Sequence, residues 1–165
     1  MILRPKRAND IDAIHALTTA AFKPMSYSDG TEADCIDKLR ADGDLHLSLV
    51  ATQDDEIIGH IAFSPVTLDG ISDNWFGLGP ISVAIPHQKT GIGSALIRAG
   101  FDWLHTQNAK GCVLIGDPNY YSRFGFISTG TLSYQNLPPE LVQWIGWNGN
   151  TASGVVRFSR GLEPA

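Results

Sequence analysis

Apolar residues recur along this chain in two rhythms, and alternation between them sets the elements. Ile2 to Arg4 can form a short first strand, after which Asn9 or Asp10 offers a cap to a helix whose apolar positions Ile11, Ile14, Leu17 and Ala21 follow helical spacing. That helix should end near Phe22, before Lys23-Pro24. Met25 to Gly30 reads as a polar loop, and Thr31 starts a second helix that turns Ile36 and Leu39 inward and stops at Asp42-Gly43. The rhythm then changes. Leu45 to Thr52 predicts a strand, Gln53 to Glu56 a hairpin turn, and Ile57 to Val66 the returning strand. Asp69-Gly70 and Ser72-Asp73-Asn74 mark the next reversal, and Trp75 to Ile85 a fourth strand interrupted by Gly79-Pro80. Proline carries no N–H, so this strand should bulge or lose a ladder bond there. A long helix over Gly91 to Gln107 follows, with Leu96, Ile97, Phe101 and Leu104 on one face. Gly111 to Ile115 predicts a short apolar fifth strand, Pro118 to Phe124 a helical segment, and Phe126 the start of a sixth strand. Beyond the loop chemistry of Leu137-Pro138-Pro139 come a tryptophan-bearing stretch to Trp147 and a last strand around Val155 to Phe158.

The order β-α-α-β-β-β-α-β-α-β-β contains more strands than crossover helices. It predicts a single α/β (α+β) domain over residues 1–165, with flanking helices on a mixed, mostly antiparallel sheet of about six or seven strands. The fourth and fifth strands, joined through the long helix, should be parallel neighbours in a right-handed crossover. A chain of 165 residues can build one core without disulfides or metals.

Charge and composition narrow the function. A net charge of −5 argues against a dedicated nucleic-acid binder, which would show a basic face. The two cysteines, Cys35 and Cys112, form no C-x-x-C pair and read as free core thiols of a reducing compartment. No apolar run suits a signal peptide or approaches the ~18 residues of a membrane span, so no membrane partner is expected and the location predicted is cytoplasmic. The five histidines, at positions 15, 46, 60, 87 and 105, show no ligand spacing, and no metal is expected.

The chemistry concentrates in Gln88-Lys89-Thr90-Gly91-Ile92-Gly93-Ser94, between a strand end and a long helix. The first turn of a helix presents unpaired N–H groups and the positive end of the dipole, and glycines let an anion approach the backbone. The dinucleotide fingerprint fails because Leu96 stands where its third glycine belongs, and the P-loop fails because no lysine precedes Ser94. What remains is [Q/R]-x-x-G-x-[G/A] after an interrupted strand.

That pattern resembles the acetyl-CoA pyrophosphate loop of the GNAT superfamily of N-acetyltransferases, and the order of elements from Ile2 through Phe158 is similar to its fold. The block from Leu114 to Phe126, with Gly116-Asp117-Pro118 in it, and the stretch Gly59 to Val66 are similar to a subgroup in which a Gly-Asp-Pro turn replaces the longer fourth helix. The resemblance implies acetyl-CoA as co-substrate and a small-molecule or protein amine as acceptor. It also implies a splay between the fourth and fifth strands that exposes main-chain groups of Ile81, Ser82 and Val83 to pantetheine, and a diphosphate seated on residues 88 to 94. Tyr121, five residues before Phe126 in Tyr-x-x-x-Gly-Phe, matches the general acid of many such enzymes, with Tyr120 adjacent. The fourth strand carries no carboxylate to serve as base, which leaves Glu32, His60, Asp117 or a water chain. The missing carboxylate also leaves open a non-catalytic acyl-CoA sensor on the same fold. Acceptor walls would come from Lys23 to Gly30, Asp69 to Asn74 and the tail, and a homodimer is compatible with the sequence.

Overall fold

The computed structural model describes residues 1–164. Its strands are β1 (Ile2–Pro5), β2 (Leu47–Gln53), β3 (Glu56–Leu68), β4 (Ile71–Val83), β5 (Gly111–Ile115), β6 (Leu132–Ser133), β7 (Val142–Gly146) and β8 (Gly154–Arg157). The helices are α1 (Ile11–Phe22), α2 (Glu32–Ala41), α3 (Ile92–Thr106) and the single turn α4 (Pro118–Tyr121). Six strands form one path in the order β1-β2-β3-β4-β5-β7, and β8 attaches to β3 and β6 to β8, which makes eight. The β4–β5 and β6–β8 pairs are parallel and the others antiparallel.

Alternation along β2 shows how the layers form. Leu49 and Ala51 belong to the core under α3, with Ile92, Leu96, Ile97 and Leu104, whereas Val50 between them packs with Ile14 of α1 and Ile36 of α2. Thus α3 covers one face of the sheet and α1 with α2 the other. A β-carbon on Gly59 of β3 would lie 3.0 Å from Ile92 and 3.1 Å from Leu96, so that position faces α3. Its neighbour His60 therefore points to the α1 side, where it is fully buried.

Several boundaries differ from the sequence reading, each for a local reason. Asp10 does not cap α1. Its carboxylate accepts the Arg7 N–H at 2.6 Å and the Arg4 guanidinium at 2.7 Å, closing a 3-10 turn at Ala8–Asp10. Burial beside this cation matters in that order: the Arg4 hydrogen bond leads in holding the Asp10 carboxyl below its ordinary range, against desolvation. The β3–β4 turn is confined to Asp69 and Gly70, both at positive φ, and β4 already runs through Ser72-Asp73-Asn74. Those polar residues tie β4 to the far end of α3. The Asn74 amide donates to the carbonyls of Gln107 at 3.0 Å and Asn108 at 2.8 Å, and Asp73 pairs with Lys110. No strand starts at Phe126: only Ile127 bridges to Trp144, and the strand beside β5 is the tryptophan-bearing β7. Cys112 lies in the core, but Cys35 is only half-buried on α2.

Among the described residues no helix is long and apolar enough to cross a membrane.

Candidate active site

Pairing between β4 and β5 covers only Trp75↔Gly111, Phe76↔Cys112 and Gly77↔Val113. Beyond Gly77 the two strands part: β4 stays with β3 and β5 stays with β7 through Ile115↔Val142. The cause lies in β4. Ile61 pairs with Ile81 and Phe63 with Leu78, so three steps on β4 oppose two on β3. The extra residue falls at Gly79-Pro80, a cis peptide with Gly79 at φ 132°. Proline offers no N–H to a neighbouring strand, and glycine alone accepts that φ readily.

The parting leaves a cleft of about 720 Å³. One wall is Leu78 to Ile81, the other Ile115 to Pro118 with Tyr120 and Tyr121, and Phe22 and Tyr27 approach from the α1–α2 segment. Tyr27 approaches the cleft from the α1 side, and Tyr120 on its wall reaches with its hydroxyl over Gly93 of α3, so the cleft links the two faces of the sheet through these side chains.

Main-chain direction along β4 decides which groups face the gap. The Ala84 N–H donates to the Ile58 carbonyl at 2.8 Å. Along an antiparallel pair, alternate residues turn their N–H and C=O to the partner strand. Ser82, opposite His60, therefore turns its main chain to β3, and Ile81 and Val83 turn theirs to the gap. Of the main-chain groups expected in the gap, those of Ser82 are thus already committed to the sheet. The Val83 carbonyl accepts from the Gln88 amide at 3.1 Å, so Gln88 fastens the loop to the end of β4 instead of facing an anion.

The loop then turns through Lys89 at φ 61° and Gly91 at φ 91° into α3. Thr90 donates to the His87 carbonyl at 2.5 Å, which closes the turn. No side chain caps α3, so the first-turn N–H groups over Ile92, Gly93 and Ser94 remain for an anion. A β-carbon on Gly93 would meet the Tyr120 hydroxyl at 3.1 Å, and Val83 and Ile81 at 3.8 and 3.9 Å. Loop, strand end and Tyr120 therefore converge at the α3 end of the cleft. Arg123 lies over the Tyr120 ring, 4.7 Å from its centroid.

Tyr121 lines the cleft. Burial pushes its phenol above the usual range, and Tyr120, Tyr27, Cys112 and Asp117 add to the shift. A β-carbon on Gly116 would fall 2.6 Å from the Tyr121 ring, so the ring rests directly on the backbone that follows β5. Asp117 accepts the Asn119 N–H at 2.9 Å and starts the single turn of α4 that carries both tyrosines.

Glu32 and His60 are not brought to this cleft. Glu32 accepts from Ser28 and lines a separate cavity of about 390 Å³ with Thr19, Phe22 and Lys23, and Phe22 alone is shared between the two. His60 bonds Ser48 Oγ through Nε2 at 2.7 Å under α1, and burial pulls its pKa down to about 4. Its Nδ1 and the hydroxyls of Thr18, Ser64 and Ser82 have no partner among the described residues. His15, Asp34 and Asp37 converge between α1 and α2, where Asp37 already holds His15 at 2.9 Å and Arg40 at 3.0 Å; none of them lines the cleft. Of the segments expected to wall the acceptor site, the loop Lys23 to Gly30 brings Tyr27 to the cleft and Asp69 to Asn74 does not line it; Phe22 and Leu141 are cleft residues that the sequence does not single out. Phe22 and Leu141 reach it only through tertiary packing, and no short spacing signals them.

Residues 11–126 match the model of the Acetyltransferase (GNAT) family. The uncharacterized N-acetyltransferase YhbS of Escherichia coli K12 is 39% identical over 127 residues, covering 76% of this chain and 73% of that protein. The crystal structure of a GNAT family acetyltransferase from Brucella melitensis in complex with acetyl-CoA superposes with a TM-score of 0.88 at 40% identity, over 98% of this chain and 97% of that one. The Escherichia coli YhbS structure in complex with CoA superposes with a TM-score of 0.85 at 31% identity, over 97% and 90%.

Proposed function

The chain belongs to the GNAT acetyltransferase family, and on that footing we propose that it transfers the acetyl group of acetyl-CoA to a primary amine within one ternary complex. The observation that carries the reading is the end of β4–β5 pairing at Gly77↔Val113, with a cleft beyond it whose side chains link the α3 N-terminus to the α1–α2 segment. An extended amide-bearing chain can lie in such a gap as an added strand, on the main-chain groups of Ile81 and the N–H of Val83, whose carbonyl already accepts from Gln88. Its diphosphate fits the amides of Ile92, Gly93 and Ser94, with Lys89 supplying a positive charge and Gln88 and Thr90 holding the loop. The complexes of the Brucella melitensis and Escherichia coli relatives with acetyl-CoA and CoA support this assignment. The single-turn α4 after Gly116-Asp117-Pro118 supports membership of the subgroup with a shortened fourth helix.

In the proposed reaction the neutral amine attacks the thioester carbonyl carbon, a C–N bond forms and the carbonyl electron pair moves onto oxygen. The Ile81 N–H, turned to the gap beside the bulge, is placed to stabilise that oxyanion. On collapse the C–S bond breaks, the thiolate takes the Tyr121 proton, and the proton shed by the amine passes to water and replaces it on the phenol. A phenol held above its usual range stays protonated until the thiolate forms. With Glu32 and His60 outside the cleft, water is the proposed proton acceptor.

A panel of primary amines with acetyl-CoA, followed by thiol release and product mass, tests the reading. Acetylated amine and free CoA in equal amounts support it. Tight acetyl-CoA binding with no transfer to any amine would replace it with a non-catalytic acyl-CoA-binding module.

A further inference from the structure

The geometry points to one class of acceptor: a primary amine on an apolar or aromatic body with no carboxylate beside it, its ammonium form received by Asp117 at the cleft rim. This rests on the acetyltransferase reading and concerns the part of the cleft which that reading leaves to the acceptor.

The cleft has two chemically different ends. At the α3 end stand the anion-seeking amides and the Tyr120 hydroxyl over Gly93. The α1–α2 segment contributes Phe22 and Tyr27, and Ile115, Leu141 and Tyr121 continue the apolar and aromatic lining. Among the described residues no lysine, arginine or histidine lines the cleft from Phe22 to Tyr121, and Asp117 is its one carboxylate; Lys89 of the loop and Arg123 over the Tyr120 ring stand at the α3 end. Lys23, the nearest cation in sequence to Phe22, lines the neighbouring cavity with Glu32 instead.

Asp117 is also oriented. Its Oδ1 accepts the Asn119 N–H at 2.9 Å, which fixes the carboxylate on the α4 turn, while Oδ2 has no hydrogen-bond partner among the described residues. A cation in the cleft shares its lining with the Asp117 carboxylate and the aromatic side chains of Phe22, Tyr27 and Tyr121, all attractive to it. A carboxylate entering the same space would shed its water against apolar walls with no cation to replace it, next to a like charge. The apolar walls favour a body that loses water readily. Tyr27 is 77% exposed, an aromatic surface left uncovered at this mouth. The bound ammonium then gives one proton to water, and the free amine turns to the thioester.

The test uses three acceptors with the intact chain and acetyl-CoA: 2-phenylethylamine, L-phenylalanine, which adds only a carboxylate, and L-phenylalaninamide, which adds similar bulk without charge. The expected kcat/KM for the first and third exceeds that for phenylalanine at least about 10-fold, the discrimination a misplaced like charge imposes. Asp117→Asn keeps an oxygen for the Asn119 N–H. It should raise KM for 2-phenylethylamine about 10-fold, the loss of one charge-assisted contact, narrow the preference over phenylalanine, and leave acetyl-CoA affinity by calorimetry unchanged. Phenylalanine used within twofold of 2-phenylethylamine, an unchanged preference in Asp117→Asn, or acetyl-CoA binding with transfer to none of the three would overturn the assignment while leaving the acetyl-CoA site standing. Failure to bind acetyl-CoA at all would remove the acetyltransferase reading and this inference with it.

Discussion

The Tyr120 hydroxyl stands 3.1 Å from the place a β-carbon would take on Gly93. One side chain from the turn after β5 thus reaches across the gap to the first turn of α3, and glycine leaves the space between them. Gly93→Ala should cost little stability, because alanine gains up to ~1 kcal/mol over glycine within a helix and a tyrosine hydroxyl can shift by a few tenths of an ångström. Acetyl-CoA affinity should fall about 10-fold as the methyl crowds the amides. Tyr120→Phe removes the atom the methyl meets, so the double variant should recover part of that loss in calorimetric titrations. An equal loss in single and double variants would show that Tyr120 has no part in it.

Tyr121→Phe tests the proposed acid. Loss of a positioned proton donor lowers kcat by roughly 10²–10⁴-fold, with the KM for acetyl-CoA nearly unchanged, since the ring still rests against Gly116. Burial raises this phenol, so its loss of a proton should not shape the rate profile below the ordinary phenol range near ~10. A wild-type kcat that falls with an alkaline limb well under that range, or a Phe variant at full rate, would assign the proton to another group.

How far the sequence carried this site follows from the kind of signal involved. Gly79-Pro80 and Gln88 to Ser94 were legible because backbone chemistry fixes their behaviour locally: no N–H at proline, positive φ at glycine, bare amides at a helix start. Direction was not legible. Whether Ser82 or its neighbours face the gap depends on register with β3, and the contact of the Gln88 amide with the Val83 carbonyl depends on where β4 ends in space. Asp73 and Asn74 have a composition that suits a turn, yet contacts with Lys110 and the end of α3 hold them in extended β4. Glu32 and His60 suited the role of base by chemical type, and tertiary packing placed one in a second cavity and the other under α1.

His60 predicts an acid-sensitive step in stability. Its imidazole has a reference pKa of 6.5 and a folded value of about 4, lowered first by burial and then by Arg40. Between those values the unfolded chain binds the extra proton, so stability is complete above pH 6.5 and is lost as pH falls toward 4. The full difference amounts to roughly 3 kcal/mol. Denaturant unfolding at a series of pH values should show this slope, and His60→Gln should flatten it. The Arg4-held Asp10 carboxylate contributes separately, at lower pH, since its folded pKa is depressed below 3.8. A slope unchanged by His60→Gln would mean that the imidazole is not the group taking up the proton.

Gly100 sets the height of α3 above the sheet, and with it the position of the anion-binding end. A β-carbon there would lie 2.3 and 2.4 Å from two ring atoms of Phe63, a side chain of β3 with no exposed surface. The ring cannot swing into solvent as a surface side chain would, so Gly100→Ala must lift the helix or displace the ring within a packed core. Overpacking of this kind costs about 1–3 kcal/mol, more than the ~1 kcal/mol that alanine gains over glycine in a helix, and thermal unfolding should show a net loss. Lifting α3 would also move Ile92 to Ser94 away from the end of β4, so acetyl-CoA affinity should weaken although Gly100 lies two turns from the loop. Phe63→Leu supplies a side chain that can yield, and in the double variant both stability and affinity should return toward the values of Phe63→Leu alone. Affinity that stays intact while stability falls would show that the first turn of α3 is held by the β4 end and Gln88 alone, independent of how the rest of the helix rests on the sheet.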